Sequence, residues 1–128
     1  MDRDNIIVTN NKLVYEKYKD VHNVEYYGDY TYMDILKYIR DKVHAGHKLI
    51  THPLSGSIKP NETPYKSVVI SKKKEYLDYD SLKLIEESIA TANKFISNKP
   101  TPTWPEKVLD DFRVVDLSLI ENAINRII

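Results

Sequence analysis

Between Thr51 and Ser67 the chain reads Thr-His-Pro-Leu-Ser-Gly-Ser-Ile-Lys-Pro-Asn-Glu-Thr-Pro-Tyr-Lys-Ser, and this stretch holds most of the residues that could do chemistry. Ser55 and Ser57 offer hydroxyls, and Gly56 between them lets backbone amides converge on an anion. Lys59 and Lys66 bring positive charge, His52, Asn61, Thr63 and Tyr65 add donors, and Glu62 is the single acid. Pro53, Pro60 and Pro64 restrict the backbone and lower the entropy lost on ordering. A long connection with no helical or strand period is usually functional or disordered. The prolines argue against disorder. The pattern points to a rigid loop, residues 52–66, that holds a small anionic ligand. The plainer alternative is an Ω-loop whose polar groups satisfy only its own backbone.

Other constellations carry less. His44, His47 and His52 could supply three imidazoles to zinc. Gly46 should break the helix between the first two, and a four-residue strand would carry His52 ~13 Å away. His44 and His47 read more simply as donors to a helix C-terminus, so no metal is expected and the pair is only a lesser alternative. A serine–histidine–acid set could be drawn from Ser55 or Ser57, His52 and Glu62. Leu54-Ser55-Gly56 keeps only the trailing glycine of a nucleophile elbow. The enzymatic alternative is acid–base chemistry by His52 with Lys59 or Lys66 on an anionic substrate, partnered by Glu62 or Tyr65. Neither a dinucleotide-binding glycine pattern nor a phosphate-loop sequence is present, and no cofactor is expected.

The totals narrow the classes. A chain of 128 residues is of single-domain size. It has no cysteine, which removes disulfides, thiolate nucleophiles and thiolate metal sites. Nineteen basic and nineteen acidic side chains cancel, without the basic excess that phosphate neutralisation demands, so no nucleic-acid partner is expected. Lys72, Lys73 and Lys74 read as a solvated strand end. No apolar run approaches the ~20 residues of a membrane helix. Met1-Asp2-Arg3-Asp4-Asn5 is too acidic, and Ile6-Ile7-Val8 too short, for a signal peptide, so a cytoplasmic setting is expected. Ten tyrosines could furnish an interface, which keeps a purely structural homodimer module as a further alternative.

The elements that must position the loop follow from periodicity. Ile6–Thr9, Val24–Tyr27, Lys48–Thr51 and Ser67–Ser71 read as strands. Asn10 or Asn11 suits a helix N-cap ahead of Leu13, Val14 and Tyr18. Thr31 and Asp34 resemble a capping box before the stripe Tyr32, Ile35, Leu36, Ile39 and Val43, which Gly46 should end. Asp80 is expected to cap a helix carrying Leu82, Ile85, Ile89, Ala92 and Ile96. Pro100 and Pro102 interrupt the chain. Thr103 with Glu106, and then Asp116, would open two short helices. The expectation is a three-layer α/β fold with a mostly parallel four-stranded sheet and helices on both faces. Residues 1–98 would form the α/β domain. Residues 99–128 would form a proline linker and two-helix appendage, packed on the body or on a partner chain. In such sheets ligands bind beyond the carboxyl ends of the strands, which would bring Asn10 and Asn11 to the same rim as the loop.

The long motif Thr51–Ser67 resembles the signature of the GrdX family. The resemblance extends to Val8-Thr9-Asn10-Asn11, Arg40-Asp41 and His44-Ala45-Gly46-His47, covering roughly the first three quarters of the chain. It implies a small protein associated with the glycine, sarcosine and betaine reductase systems of anaerobic bacteria. An accessory protein, rather than an enzyme, would suit that setting. It would bind a small anion such as acetyl phosphate, a carboxylate substrate, or a segment of a reductase subunit. No matching pattern is identified beyond Pro100.

Overall fold

Two β-branched runs, Ile6-Ile7-Val8-Thr9 and Val68-Val69-Ile70, build the centre of the molecule. The computed structural model describes residues 4–55 and 58–127. Strand β1 (Asn5–Thr9) pairs in parallel with β2 (Asn23–Tyr26) and antiparallel with β3 (Ser67–Ser71), giving the order β2-β1-β3. The sheet is therefore three-stranded and mixed, not the four-stranded, mostly parallel sheet expected from the sequence.

The physical reason lies on either side of residue 52. Lys48–Thr51 does flank β3, but only Leu49 and Ile70 form a bridge. Backbone bonds remain from Ser71 N to the Lys48 carbonyl at 2.8 Å and from Ile50 N to the Val69 carbonyl at 2.9 Å, but side chains take two of the amides a full ladder would use. The Lys48 N–H donates to Ser71 Oγ at 2.7 Å, and the Val69 N–H donates to Thr51 Oγ1 at 2.9 Å. Parallel pairing also needs a crossover that returns the chain to its starting end. Residues 52–66 provide only a loop at one rim. The chain re-enters from that rim, and β3 runs back against β1.

Capping sets the helices. Asn11 accepts from Leu13 N to start α1 (Lys12–Tyr18). Thr31 and Asp34 form a reciprocal capping box for α2 (Tyr32–His44). Gly46, at φ +108°, closes α2 where an added Cβ would lie 2.3 Å from the Glu75 carbonyl oxygen. Helix α3 (Tyr79–Asn98) is capped by Asp78, with Asp80 inside its first turn instead of at its cap. The chain from Glu106 to Ile127 is one helix, α4, in place of the two short ones expected. Asp116 is consequently an interior residue of α4 and caps nothing. Glu106 bonds Arg113 instead of closing a box with Thr103.

Strand alternation sends Val8, Val68 and Ile70 to one face, where Ile35, Leu36 and Ile39 of α2 and Ile85 of α3 bury them. Ile7 and Val69 point to the other face, covered by Val14 of α1 and by Ile120 and Ile124 of α4. The C-terminal helix thus packs on α1 and β3 of its own chain. No helix among the described residues is long and apolar enough to cross a membrane.

Candidate functional site

The face under α4 changes character at the rim. Thr9 and Ser67 are register partners one rung beyond Ile7 and Val69 and share their face. Their hydroxyl oxygens lie 2.6 Å apart. The Asn11 N–H donates to Thr9 Oγ1 at 2.9 Å, and Ser67 Oγ donates to Asp116 Oδ2 at 2.7 Å. Asn11 Nδ2 donates to the same Oδ2 at 3.0 Å and to the Arg113 carbonyl at 2.8 Å. Asp116 lies four residues before Ile120 and eight before Ile124, on the stripe of α4 that faces the sheet. The helix therefore drives a carboxyl into the polar rung, where it is 6% exposed.

Lys66 enters the same place from the loop and is also 6% exposed. Asn10 fixes its backbone, accepting from Lys66 N on Oδ1 at 2.9 Å. The ammonium lies 5.8 Å from the centre of the Tyr32 ring. Among the described residues it forms no ion pair and donates no hydrogen bond. Burial pulls the Lys66 pKa below the ordinary lysine value, partly opposed by the charge of Asp116. Burial pushes the Asp116 pKa up, opposed by its hydrogen bonds to Asn11 and Ser67 and by Lys66. The Tyr32 hydroxyl is also raised, first by burial and then by Asp116.

These groups border a cavity of about 470 Å³ between the rim of the sheet and α4. Thr51, His52, Leu54 and Ser55 line one wall, Leu119, Ile120, Ala123, Arg126 and Ile127 the other, with Lys66, Ser67 and Asp116 between them. The arrangement can hold a small polar molecule against buried charges of both signs.

The loop residues divide. His52, Ser55 and Lys66 line the cavity. His52 is exposed, and its Nδ1 is held by the Leu54 backbone, 3.0 Å from N and 3.1 Å from O. Thr63 and Tyr65 border the adjoining crevice under Phe112. Thr63 Oγ1 accepts from Tyr65 N, and Arg113 stacks 5.3 Å over the Tyr65 ring. Asn61 is turned away to donate to the Lys99 carbonyl at 3.1 Å. Lys59 and Glu62 are exposed, and Glu62 does not join His52 at the cavity. Gly56 and Ser57 lie outside the described residues.

Asn10 does meet the loop at the rim, but as a brace, while Asn11 bonds none of the described loop residues. Asn10 Nδ2 donates to the Tyr30 and Pro64 carbonyls, each at 2.9 Å, while Oδ1 takes Lys66 N. Asn11 is committed to Leu13, Arg113 and Asp116. Of the histidines set aside as a metal pair, His44 is exposed and His47 is buried with Nδ1 2.7 Å from the Ser71 carbonyl. Among the described residues no group of three or more histidines and acids could hold a metal ion.

Sequence reasoning missed Asp116, Ser67, Thr51 and Arg126. One signal was available for Asp116: an acid in register with the apolar stripe of a helix.

Fold and cavity together define a small α/β protein whose C-terminal helix closes a lysine-bearing pocket over the rim of its sheet. The GrdX-like protein family model matches residues 6–125, and the chain belongs to that family. The match runs through most of α4, beyond the Pro100 limit of the resemblance read from motifs, so it includes the helix that carries Asp116. No curated protein and no solved structure matches the chain.

Proposed function

We propose that this chain is a GrdX-like accessory protein of glycine reductase metabolism that binds a small anion in the cavity bordered by Lys66. The observation that carries the reading is Lys66, a residue only 6% exposed that lines the cavity and whose ammonium has no ion pair among the described residues. An unpaired buried ammonium is costly unless a counter-charge arrives. A ligand carboxylate or phosphate would supply one. Arg126 adds positive charge to the cavity wall, and Thr51 adds a hydroxyl. The family's association with glycine reductase systems supports a carboxylate or acyl phosphate of low mass.

Isothermal titration of the full chain with acetate, inorganic phosphate and acetyl phosphate tests this. Binding of at least one is expected, with at least a tenfold loss in Lys66→Met. No heat from any of them or from other small carboxylates, amino acids included, or unchanged affinity in a folded Lys66→Met protein, would overturn the assignment.

A further inference from the structure

We infer that the ligand of this cavity carries a cationic amine as well as an anionic group, as an α-amino acid does, with Asp116 receiving the amine and Lys66 the carboxylate. This rests on the anion-binding reading of the same cavity and adds the second charge.

The argument starts from two buried opposite charges that do not close on each other. Lys66 and Asp116 line the same cavity, each 6% exposed, yet no ion pair joins them. Opposite charges in a low-dielectric interior gain most by direct contact. Here separate braces hold each one. Asp116 is held by Asn11 Nδ2 and Ser67 Oγ, both on Oδ2, and Ser67 is itself 2.6 Å from Thr9. Lys66 is held by Asn10 at its backbone, with its ammonium over the Tyr32 ring. Both groups that bond Oδ2 can act as donors, which favours the ionised carboxylate against the burial that opposes it. The wall therefore presents a separated plus and minus to the cavity. A simple anion would satisfy Lys66 and face repulsion from Asp116. A zwitterion satisfies both. The cavity, at about 470 Å³, has room for a small amino acid.

The test is isothermal titration of the full chain with matched pairs: glycine and acetate, alanine and propionate, glutamate and glutarate, with inorganic phosphate alongside. The expected result is that at least one amino acid binds tenfold or more tightly than its deaminated partner. Asp116→Asn should reduce that preference to below threefold, by weakening the amino acid and by tightening the deaminated partner once the opposing carboxylate charge is gone. A preference below tenfold in every pair, while acetate, propionate, glutarate or phosphate still binds, overturns this inference and leaves the anion reading standing. A preference that survives unchanged in Asp116→Asn also overturns it. Absence of binding by every probe removes both. The comparison between matched ligands needs no variant, so a poorly folding Asp116→Asn protein would not shield the inference.

Discussion

The two faces of the sheet are built from the same strands and differ in one rung. On the α2/α3 face, Val8, Val68 and Ile70 meet Ile35, Leu36, Ile39 and Ile85, all fully buried aliphatic side chains. On the α1/α4 face, Ile7 and Val69 begin a similar core with Val14, Ile120 and Ile124, but the next rung is Thr9 and Ser67, covered by Asp116. One face is devoted to stability. The other gives up part of its apolar area to hold charge. Each fully buried isoleucine contributes about 2 kcal/mol relative to an exposed one, so a polar rung forfeits an amount that matters in a domain stable by only about 5–15 kcal/mol.

The sharpest way to separate the faces is to cut into each. Ile39→Ala, at a fully buried aliphatic position, should lower stability by about 2–5 kcal/mol in urea unfolding. Anion affinity, measured where the variant remains folded, should not change. A coupled loss of binding would show that the two faces are not independent.

Lys66→Met on the polar face should do the reverse. Removing a buried ion in favour of an apolar chain of similar length is often neutral or stabilising, here by about 1 kcal/mol, since Asp116 loses its electrostatic partner. A loss of more than about 2 kcal/mol would mean that Lys66 supports the fold directly.

The pH dependence divides in the same way. The folded Lys66 pKa lies below its ordinary 10.5. Its contribution to stability is therefore present above 10.5 and is lost as pH falls through the folded value. Asp116 runs oppositely, with a folded pKa above its ordinary 3.8. Its contribution is present below 3.8 and is lost as pH rises through the folded value. Stability should thus dip between the two folded pKa values. Asp116→Asn should flatten the acid limb of the stability curve and Lys66→Met the alkaline limb. Ile39→Ala should shift the curve without changing its shape. A wild-type curve with no dip would contradict the burial of both charges.

The smallest effect belongs to the surface. Lys17 of α1 and Glu121 of α4 form a partly exposed ion pair. Glu121→Gln should cost less than about 1 kcal/mol in urea unfolding, and less in high salt.

Local signals in the sequence were readable where one short-range preference decided the outcome. The Thr31–Asp34 box, the Asn11 cap, the stop at Gly46 and the run Ser67–Ser71 are such cases. Lys48–Thr51 looked equally like a strand. Its pairing stayed partial, with Ser71 and Thr51 hydroxyls taking two of the amides, a contact between residues about twenty apart that no local pattern reveals. Asp116 carried two signals at once, a good cap residue and a place on an apolar stripe. The stripe prevailed because α4 runs unbroken from Glu106. At the site, Lys66, His52 and Ser55 were visible as loop residues, and Asn10 and Asn11 as their neighbours at the rim. That the asparagines would be spent on bracing, and that the opposing charge would come from fifty residues downstream, depends on how α4 docks.

Asn61 and Trp104 tie the loop to the link before α4, through the Lys99 and Glu62 carbonyls at 3.1 and 2.7 Å. The two sides of the pocket are therefore tied to each other through backbone carbonyls as well as through the packing of α4 on α1 and β3. Residues that carry no charge into the cavity thus help to set where its charged walls stand.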